Sequence, residues 1–173
     1  MAKKVLPRGI RNCNPLNIRR NPFKKWIGEV DYKSTFTVLN GEQCESREYN
    51  KVFCQFAKME QGYRAAAIVL HDYIKKGHNT YDKLLNRWNY SNYINTEAYI
   101  NAVANYCIKV PTSPILFCAD DILPLMAAMT IAENGFMYDP FSGNDQLLHD
   151  MQGGFELAMK TLLGPPIPRN FLK

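Results

Sequence analysis

Glu133 is the residue of this sequence best placed to do chemistry. It follows Leu123–Ala132, a stretch in which Thr130 is the only polar residue, and it comes seven residues after Met126 and four after Met129. On a helix, this spacing places Glu133 on the same face as those apolar side chains, at the negative end of the helix dipole. Desolvation and the dipole both disfavour a carboxylate there, so the pKa should be raised. A carboxyl group that stays protonated near neutral pH can act as a general acid.

The helix that would carry this carboxyl group is expected over Asp121–Gly135. Asp120 or Asp121 can cap its start, and Pro124 is tolerable because it would fall in the first turn. Asn134-Gly135 is a typical helix stop. The simpler alternative is that the glutamate turns out to solvent beyond the last helical turn and has no catalytic role.

Composition and charge limit the classes of protein to consider. The 173 residues suit one domain with a core, and 46% hydrophobic with 21% charged residues is ordinary for a globular protein. No apolar run is long enough for a membrane span, and the N-terminus lacks the apolar segment of a secretory signal. The net charge is +5, with a basic cluster at Arg8, Arg11, Arg19, Arg20, Lys24 and Lys25. Such a cluster attracts polyanions, including nucleic acid, anionic cell-wall polymer and acidic lipid, although a solvated basic face is the simpler interpretation.

Metal and cofactor chemistry find no support in the sequence. The five cysteines are odd in number, and neither they nor the three histidines have the spacing of metal ligands. Reduced, mostly structural thiols are therefore expected, with no metal site and no cofactor.

The elements around Glu133 are expected to form one α+β, mainly helical domain over residues 1–173. Residues 1–32 should be an irregular loop, because asparagine and proline residues interrupt it repeatedly. A small antiparallel β ribbon is expected over 33–56, with strands at Lys33–Leu39 and Val52–Phe56 and a turn at Asn40-Gly41. Residues 60–163 should be helical, and 164–173 an extended tail rich in proline.

Four further helices are expected within 60–163. The first covers Gln61–Lys76 and stops at Gly77, and a short one capped by Thr80 runs to about Trp88. The next helix is capped by Asn95 or Thr96 and carries Tyr99. The last covers Asp145–Leu163, and it could break at Gly153-Gly154.

An ordered set of short motifs resembles a known family. The segment Arg8–Arg19, RGIRNCNPLNIR, is similar to the GIRNNNPxNIR signature that opens a family of phage and prophage lysozyme-like proteins. These include virion proteins with a murein-degrading domain. The resemblance continues through Phe53–Ala65, FCQFAKMEQGYRA, and ends at Ala128–Gly135, AMTIAENG. Cys13 stands where the signature has an asparagine, and Leu16 where it usually has a glycine.

The resemblance implies a lysozyme-like fold that is circularly permuted. Residues 14–65 also look like part of the bacterial glucosaminidase and muramidase group, in which the catalytic glutamate lies on a helix before an asparagine-rich loop. Only about a dozen residues precede the loop here, and none is acidic. The Glu133 helix would supply the missing element, which is plausible because domain termini are commonly exposed and close together.

The chemistry implied by the resemblance is cleavage of the β-1,4 bond between N-acetylmuramic acid and N-acetylglucosamine, with Glu133 as the general acid. With a second carboxylate the enzyme would be a muramidase. Without one, the muramic 6-hydroxyl would close an anhydro ring, as in lytic transglycosylases. Candidate second carboxylates, each of which is more simply a solvated charge, are Glu29, Asp31, Glu42, Glu45, Glu48 and Glu60.

Five other residues are candidates for substrate binding. Asn14 and Asn17 could contact N-acetyl groups or simply shape their loop. Trp26, like Trp88, could stack on a sugar ring, although tryptophans are more often buried. Tyr99 could orient the substrate, or it could be an ordinary core or cleft tyrosine.

Partners and location follow from this hypothesis. Peptidoglycan glycan strands are the expected substrate, and a phage-like particle or a secretion apparatus is the expected carrier. The protein would be made in the bacterial cytoplasm without a signal peptide and would act in the cell wall or periplasm once delivered by a particle, by lysis or by secretion. The alternatives are a non-catalytic structural or assembly protein of a phage-like particle and, less favoured, a nucleic-acid-binding module.

Overall fold

The computed structural model describes residues 6–31, 52–89 and 95–164, together with the backbone of 37–38 and 42–43. The described chain is mainly helical, as predicted from the sequence. A single-turn 3₁₀ helix, Phe136–Tyr138, follows the fifth of the six α-helices found in the described residues. The α-helices are α1 Arg8–Arg11, α2 Met59–Lys75, α3 Tyr81–Trp88, α4 Thr96–Tyr106, α5 Ala119–Asn134 and α6 Asp145–Leu163.

The described part of the predicted β ribbon is small. Thr37–Val38 (β1) pairs antiparallel with Glu42–Gln43 (β2), and the rest of the first strand and the turn lie outside the described residues. Val52–Phe56 was predicted as a strand, and this is wrong. Phe53 and Phe56 form one isolated bridge each, with Arg19 and Glu29. Between Arg19 and Glu29 the chain turns at residues 22–23 and again at 27–28, and the two bridges do not join into a ladder.

The N-terminal segment is irregular over most of its described length, as expected, but it contains the single helical turn α1. Pro7 precedes this turn as its N-cap. Its missing N–H costs no helical hydrogen bond at this position. The extended tail predicted for 164–173 lies outside the described residues after Gly164.

Helix α2 lies at the centre of the packing. It packs along α6 and also touches α3 and α5, while α4 packs against α3 and α5. The side chains of Tyr63, Leu70 and Ala65–Ala67 are fully buried. The core therefore encloses α2 and supports both α4 and α5, the helices that carry Tyr99 and Glu133.

Helix α5 starts earlier than predicted, with Cys118 as its N-cap. Asp120 and Asp121 therefore lie in the first turn rather than at the cap, where their charges still favour the positive end of the helix dipole. Pro124 is the sixth helical residue and lies beyond the first turn, contrary to the prediction. As predicted, the helix is buried on most sides, since every residue from Leu125 to Thr130 is buried.

Helix α6 is continuous through Gly153 and Gly154, where the sequence suggested a break. These glycines face α2 and allow a close crossing of the two helices. A Cβ atom at Gly154 would lie 2.6 Å from the carbonyl oxygen of Glu60 and 2.8 Å from the backbone nitrogen of Arg64. Glycine is present here because the two backbones meet, and the packing offsets its low helix propensity.

The described residues show reduced cysteines, no helix able to span a membrane and no cluster of metal ligands. Cys13, Cys54, Cys107 and Cys118 carry thiol groups rather than disulfides, and Cys44 lies outside the described residues. None of the described helices combines the length and apolar character needed to cross a bilayer. No group of three or more His, Cys, Asp or Glu side chains in this part of the chain is arranged to hold a metal ion.

Candidate active site

The Glu133 carboxyl group lies in the last turn of α5 and faces the N-terminal loop. Its side chain is half-buried. Its Oε2 atom accepts a hydrogen bond from Asn17 Nδ2 at 2.6 Å, across 116 positions of sequence. The structure therefore brings together two residues that the sequence analysis named as candidates. It also rules out the simpler alternative in which Glu133 points freely into solvent.

Asn134 joins α5 to the same loop. Its side chain is 8% exposed, and its Nδ2 atom donates to the Pro15 carbonyl at 2.7 Å and to the Thr130 carbonyl at 2.9 Å. Gly9 lies directly against the Asn134 amide, with no room for a Cβ atom between them. In the sequence, Asn134 indicates only the end of a helix. In the structure it also holds the loop against the Glu133 turn.

Asn14 shapes the loop from inside and does not face a ligand. It is fully buried, and its Oδ1 accepts from the Ile18 N–H at 2.9 Å. Its Nδ2 donates to the carbonyl groups of Ile18 and Cys54, each at 2.9 Å. These three backbone contacts engage both polar ends of the amide. The prediction that Asn14 contacts an N-acetyl group is therefore corrected. Only the loop-shaping role agrees with this geometry.

Asn17 has the opposite surroundings to Asn14. It is half-buried with a φ of 52°, a left-handed conformation that asparagine tolerates better than most residues. Its Oδ1 accepts from Arg8 Nε at 3.2 Å. Because Arg8 occupies the oxygen side of the amide, the nitrogen side must point to Glu133.

Arg8 is a functional candidate that the sequence analysis did not single out. Its guanidinium group lies 3.7 Å from the centroid of the Phe53 ring, a cation–π contact that holds it in place. Its positive charge also lowers the pKa of Glu133. No local spacing links Arg8 with Phe53 or Glu133. From the sequence, Arg8 could therefore be recognised only as a member of the basic cluster.

Tyr99 on α4 completes the described surroundings of Glu133. Its side chain is 5% exposed, and its hydroxyl group interacts with the Glu133 carboxyl without reaching the geometry of a full hydrogen bond. Burial, and then the negative charge of Glu133, raise the pKa of Tyr99 well above its ordinary value. Tyr99 thus stays neutral, and its hydroxyl group lies close enough to the Glu133 carboxyl group to affect its pKa.

Burial raises the pKa of Glu133, as the sequence pattern predicted. The hydrogen bond from Asn17, the charge of Arg8 and the Tyr99 hydroxyl each act in the opposite direction, because they stabilise the carboxylate. Burial outweighs them. When the group is protonated, Oε2 still accepts from Asn17, so Oε1 is the oxygen that can carry the proton.

Trp26 is not available as an open stacking surface. It is 9% exposed, and the Lys24 ammonium group covers its ring at 4.0 Å from the centroid. Its backbone N–H donates to Glu29 Oε2 at 3.0 Å. Trp26 therefore belongs to the core, which corrects the proposed role in sugar stacking. Trp88 is half-buried and meets Tyr73 edge to face.

The candidate second carboxylates do not gather around Glu133 in the described residues. The Glu29 side chain is 5% exposed and pairs with Arg20 at 3.4 Å. Glu60 lies against Gly153 at the α2–α6 crossing, and Asp31 is exposed. Glu42 is described only in its backbone, while Glu45 and Glu48 lie outside the described residues.

Two surface depressions are lined by residues other than Glu133. One is between α3 and α4 and is lined partly by Asp82, Asn86 and Glu97. The other runs along residues 20–31. Neither includes Glu133, so the cleft expected around this residue remains a prediction.

Removing the Tyr99 hydroxyl should change the pH dependence of any activity that uses Glu133 as an acid. Tyr99 lowers the pKa of Glu133, so Tyr99→Phe should raise it further. In such an activity the protonated form would be the active form, so the alkaline limb of the pH–rate profile should move to higher pH. Initial rates of peptidoglycan clearing, measured across the pH range for the parent and the variant, would test this.

Tyr106→Phe is a matched control on the same helix. The Tyr106 hydroxyl donates to Asp139 Oδ1 at 2.7 Å rather than to Glu133. Its removal should leave the alkaline limb unchanged. An unchanged limb for Tyr99→Phe, or a move to lower pH, would show that the Tyr99 hydroxyl does not stabilise the working carboxylate.

Comparison with known proteins links the chain to a phage protein. No family model matches the sequence. Protein P5 of Pseudoalteromonas phage PM2 is 29% identical to the chain over 153 residues, covering 86% of this chain and 80% of that protein. The similarity therefore extends over most of both chains rather than over a single motif.

Proposed function

We propose that this protein is a peptidoglycan-degrading glycosidase that cleaves the β-1,4 bond between N-acetylmuramic acid and N-acetylglucosamine. The observation that carries the proposal is the Glu133 carboxyl group, which burial shifts toward its protonated form and which Asn17 holds in one orientation. A positioned carboxylic acid of this kind is what protonation of a glycosidic oxygen requires. The fold proposed for the whole chain is a circularly permuted lysozyme-like domain.

In the proposed reaction, Glu133 donates its proton from Oε1 to the glycosidic oxygen. The carboxylate that results is stabilised by the Asn17 amide, the Tyr99 hydroxyl and the charge of Arg8. These groups favour the charged form, so they assist proton release, while burial favours the protonated form beforehand. As the bond between the muramic C1 and the glycosidic oxygen breaks, the muramic 6-hydroxyl can bond to C1, and the same Glu133 carboxylate can accept the proton that this hydroxyl loses. A retaining muramidase would use the same switch from acid to base, with water in place of the 6-hydroxyl.

The surroundings of Glu133 favour the transglycosylase over the muramidase. A retaining hydrolase holds its second carboxyl group about 5 Å from the first, and an inverting one about 6.5–9.5 Å away. A neighbouring carboxylate would also raise the pKa of Glu133. In the described chain, the charged side chain among the main causes that act on the pKa of Glu133 is Arg8, a cation. The nucleophile we propose is accordingly the muramic 6-hydroxyl of the substrate itself.

Digestion of purified peptidoglycan, with mass spectrometry of the released muropeptides, tests the reaction directly. The expected products carry 1,6-anhydromuramic acid ends, because the substrate hydroxyl closes the ring. Reducing muramic acid ends would instead indicate water as the nucleophile and a second carboxylate. Release of N-acetylglucosamine reducing ends, or of cut peptide stems, would contradict the proposed bond specificity.

The similarity to a phage protein supports a phage-like setting for this activity. We propose that the protein reaches the cell wall with a phage-like particle, through lysis or through a secretion apparatus. The alternative is a structural or assembly protein of such a particle that retains the fold without the activity. It would become the better account if folded protein left every peptidoglycan preparation intact.

A further inference from the structure

Two consecutive turns in residues 21–29, named here the double turn, each present an apolar side chain to solvent. Phe23 is 96% exposed and Ile27 is 67% exposed. In the first turn, the Lys24 N–H donates to the Asn21 carbonyl at 3.1 Å, and Asn21 Oδ1 accepts from the Phe23 N–H at 2.9 Å. These bonds hold Phe23 at the tip of a closed turn. Single exposed apolar residues are ordinary, but two adjacent turn tips of this kind form a feature that calls for an explanation.

The base of the double turn is anchored to the rest of the protein. The Glu29 N–H donates to the Trp26 carbonyl at 3.1 Å, and Trp26 is in the core. The next residue, Val30, donates its N–H to the Gln55 carbonyl at 2.8 Å, and its own carbonyl accepts from Arg20 at 2.8 Å. The two apolar tips are therefore presented by a preorganised backbone, and binding there requires little additional ordering.

The exposed charge around the tips is positive. Within residues 19–31 the exposed cations are Arg19, Lys24 and Lys25, and the one exposed acid is Asp31. The Glu29 side chain is 5% exposed and is paired within the protein. Apolar tips bordered by cations match the interface of a bilayer that contains anionic lipid. There, cations meet the headgroups while apolar side chains enter the boundary of the acyl chains.

We propose that the double turn docks the protein on anionic lipid bilayers, with Phe23 and Ile27 entering the interface and Lys25 contacting headgroups. Nucleic acid fits these side chains less well. Bases could stack on Phe23, but an aliphatic tip such as Ile27 contributes nothing to stacking. The docking surface is distinct from Glu133, so it does not depend on the proposed glycosidase activity.

Co-sedimentation of the full chain with vesicles tests this proposal. Binding is expected to vesicles of phosphatidylcholine mixed with phosphatidylglycerol, weakly to phosphatidylcholine alone, and to decrease with added salt. Phe23→Ser should weaken binding to the mixed vesicles by roughly tenfold to a hundredfold, because it removes the apolar surface that enters the interface. Lys25→Gln should weaken it by roughly fivefold, and only when the anionic lipid is present.

Ile108→Ser is the matched control, because Ile108 is also almost fully exposed, at 92%, and precedes a lysine, but lies between α4 and α5. Its vesicle binding should equal that of the parent. The proposal is overturned if the parent does not bind mixed vesicles, or if Phe23→Ser binds as well as the parent. Equal losses for Ile108→Ser and Phe23→Ser would also overturn it. So would loss of binding to a single-stranded oligonucleotide, with vesicle binding unchanged, in the Phe23→Ser protein.

Discussion

Glu133→Gln is expected to lower the rate of peptidoglycan cleavage by roughly 10²–10⁴-fold, the usual contribution of a positioned acid or base. Glutamine keeps the size of the side chain and can still accept from Asn17 through its Oε1 atom, but it cannot deliver a proton. The measurement is the initial rate of muropeptide release by folded protein, compared at the pH optimum of the parent. The residual activity should also lose the alkaline limb that reports the pKa of Glu133.

Loss of activity in this variant should not come from unfolding. Burial raises the pKa of Glu133 in the folded protein above its pKa in the unfolded chain. Ionisation of Glu133 therefore lowers the free energy of unfolding as pH rises above the unfolded-state pKa. Glutamine has no ionised form, so the thermal stability of the variant at neutral pH should equal or exceed that of the parent. A lower melting temperature would indicate that the change disrupts the loop, and the rate would then say little about proton transfer.

Asp150→Asn is the matched control for removing a carboxyl group. Asp150 on α6 is also half-buried, and burial raises its pKa too. Its hydrogen-bond partner is Gln146, at 3.1 Å, and the other residues that act on its pKa are His149 and Glu60. Activity should persist in this variant. If Glu133→Gln retained the parent rate, Glu133 would not be the catalytic acid. An equal loss in Asp150→Asn would show that the loss in Glu133→Gln is not specific to that carboxyl group.

The matched pair Gly154→Ala and Gly153→Ala should separate backbone contact from helix propensity. A Cβ at position 154 would lie 2.7 Å from Tyr63 Cβ and within 2.8 Å of two backbone atoms of α2, so the helices must move apart. Overpacking of this kind typically costs about 1–3 kcal/mol, and contact with backbone places Gly154→Ala at the upper end or above it. Urea unfolding monitored by circular dichroism measures the free energy of unfolding directly.

Gly153→Ala meets only a mobile side chain. The nearest heavy atom to its Cβ is Glu60 Oε1, at the end of a flexible side chain that can turn away. Alanine also favours the helix by about 1 kcal/mol over glycine. Its free energy of unfolding should therefore stay within about 1 kcal/mol of the parent. Equal destabilisation of the two variants would show that α2 and α6 do not cross as closely as described.

The sequence by itself determined the features that depend on neighbouring residues. Helix α2 ends at Lys75, just before Gly77, and α4 begins where its cap was predicted, with Asn95 Oδ1 accepting from the Ala98 N–H at 3.2 Å. The apolar run before Glu133 likewise predicted a buried helix and a raised pKa. Periodicity, capping and local desolvation act over a few residues, so they can be read without a tertiary structure.

Tertiary structure decided the outcome at positions where the local sequence is compatible with two structures. The pair Gly153-Gly154 is a helix breaker in isolation, yet α6 runs through it because α2 packs against the glycine backbone. Trp26 has the residue type of a sugar-stacking platform, but packing placed it in the core. Contacts between distant segments outweigh local propensity in these cases, and no local pattern encodes them.

The two loop asparagines show the same limit within the candidate site. Asn14 and Asn17 are three residues apart and were equivalent candidates in the sequence. The loop turns one inward to three backbone groups, while the other, at a φ of 52°, points to Glu133. The orientation of Asn17 depends further on Arg8, which Phe53 holds from another part of the chain. Residue types indicated which groups could do chemistry, but only the folded loop decided which of them meets the carboxyl group.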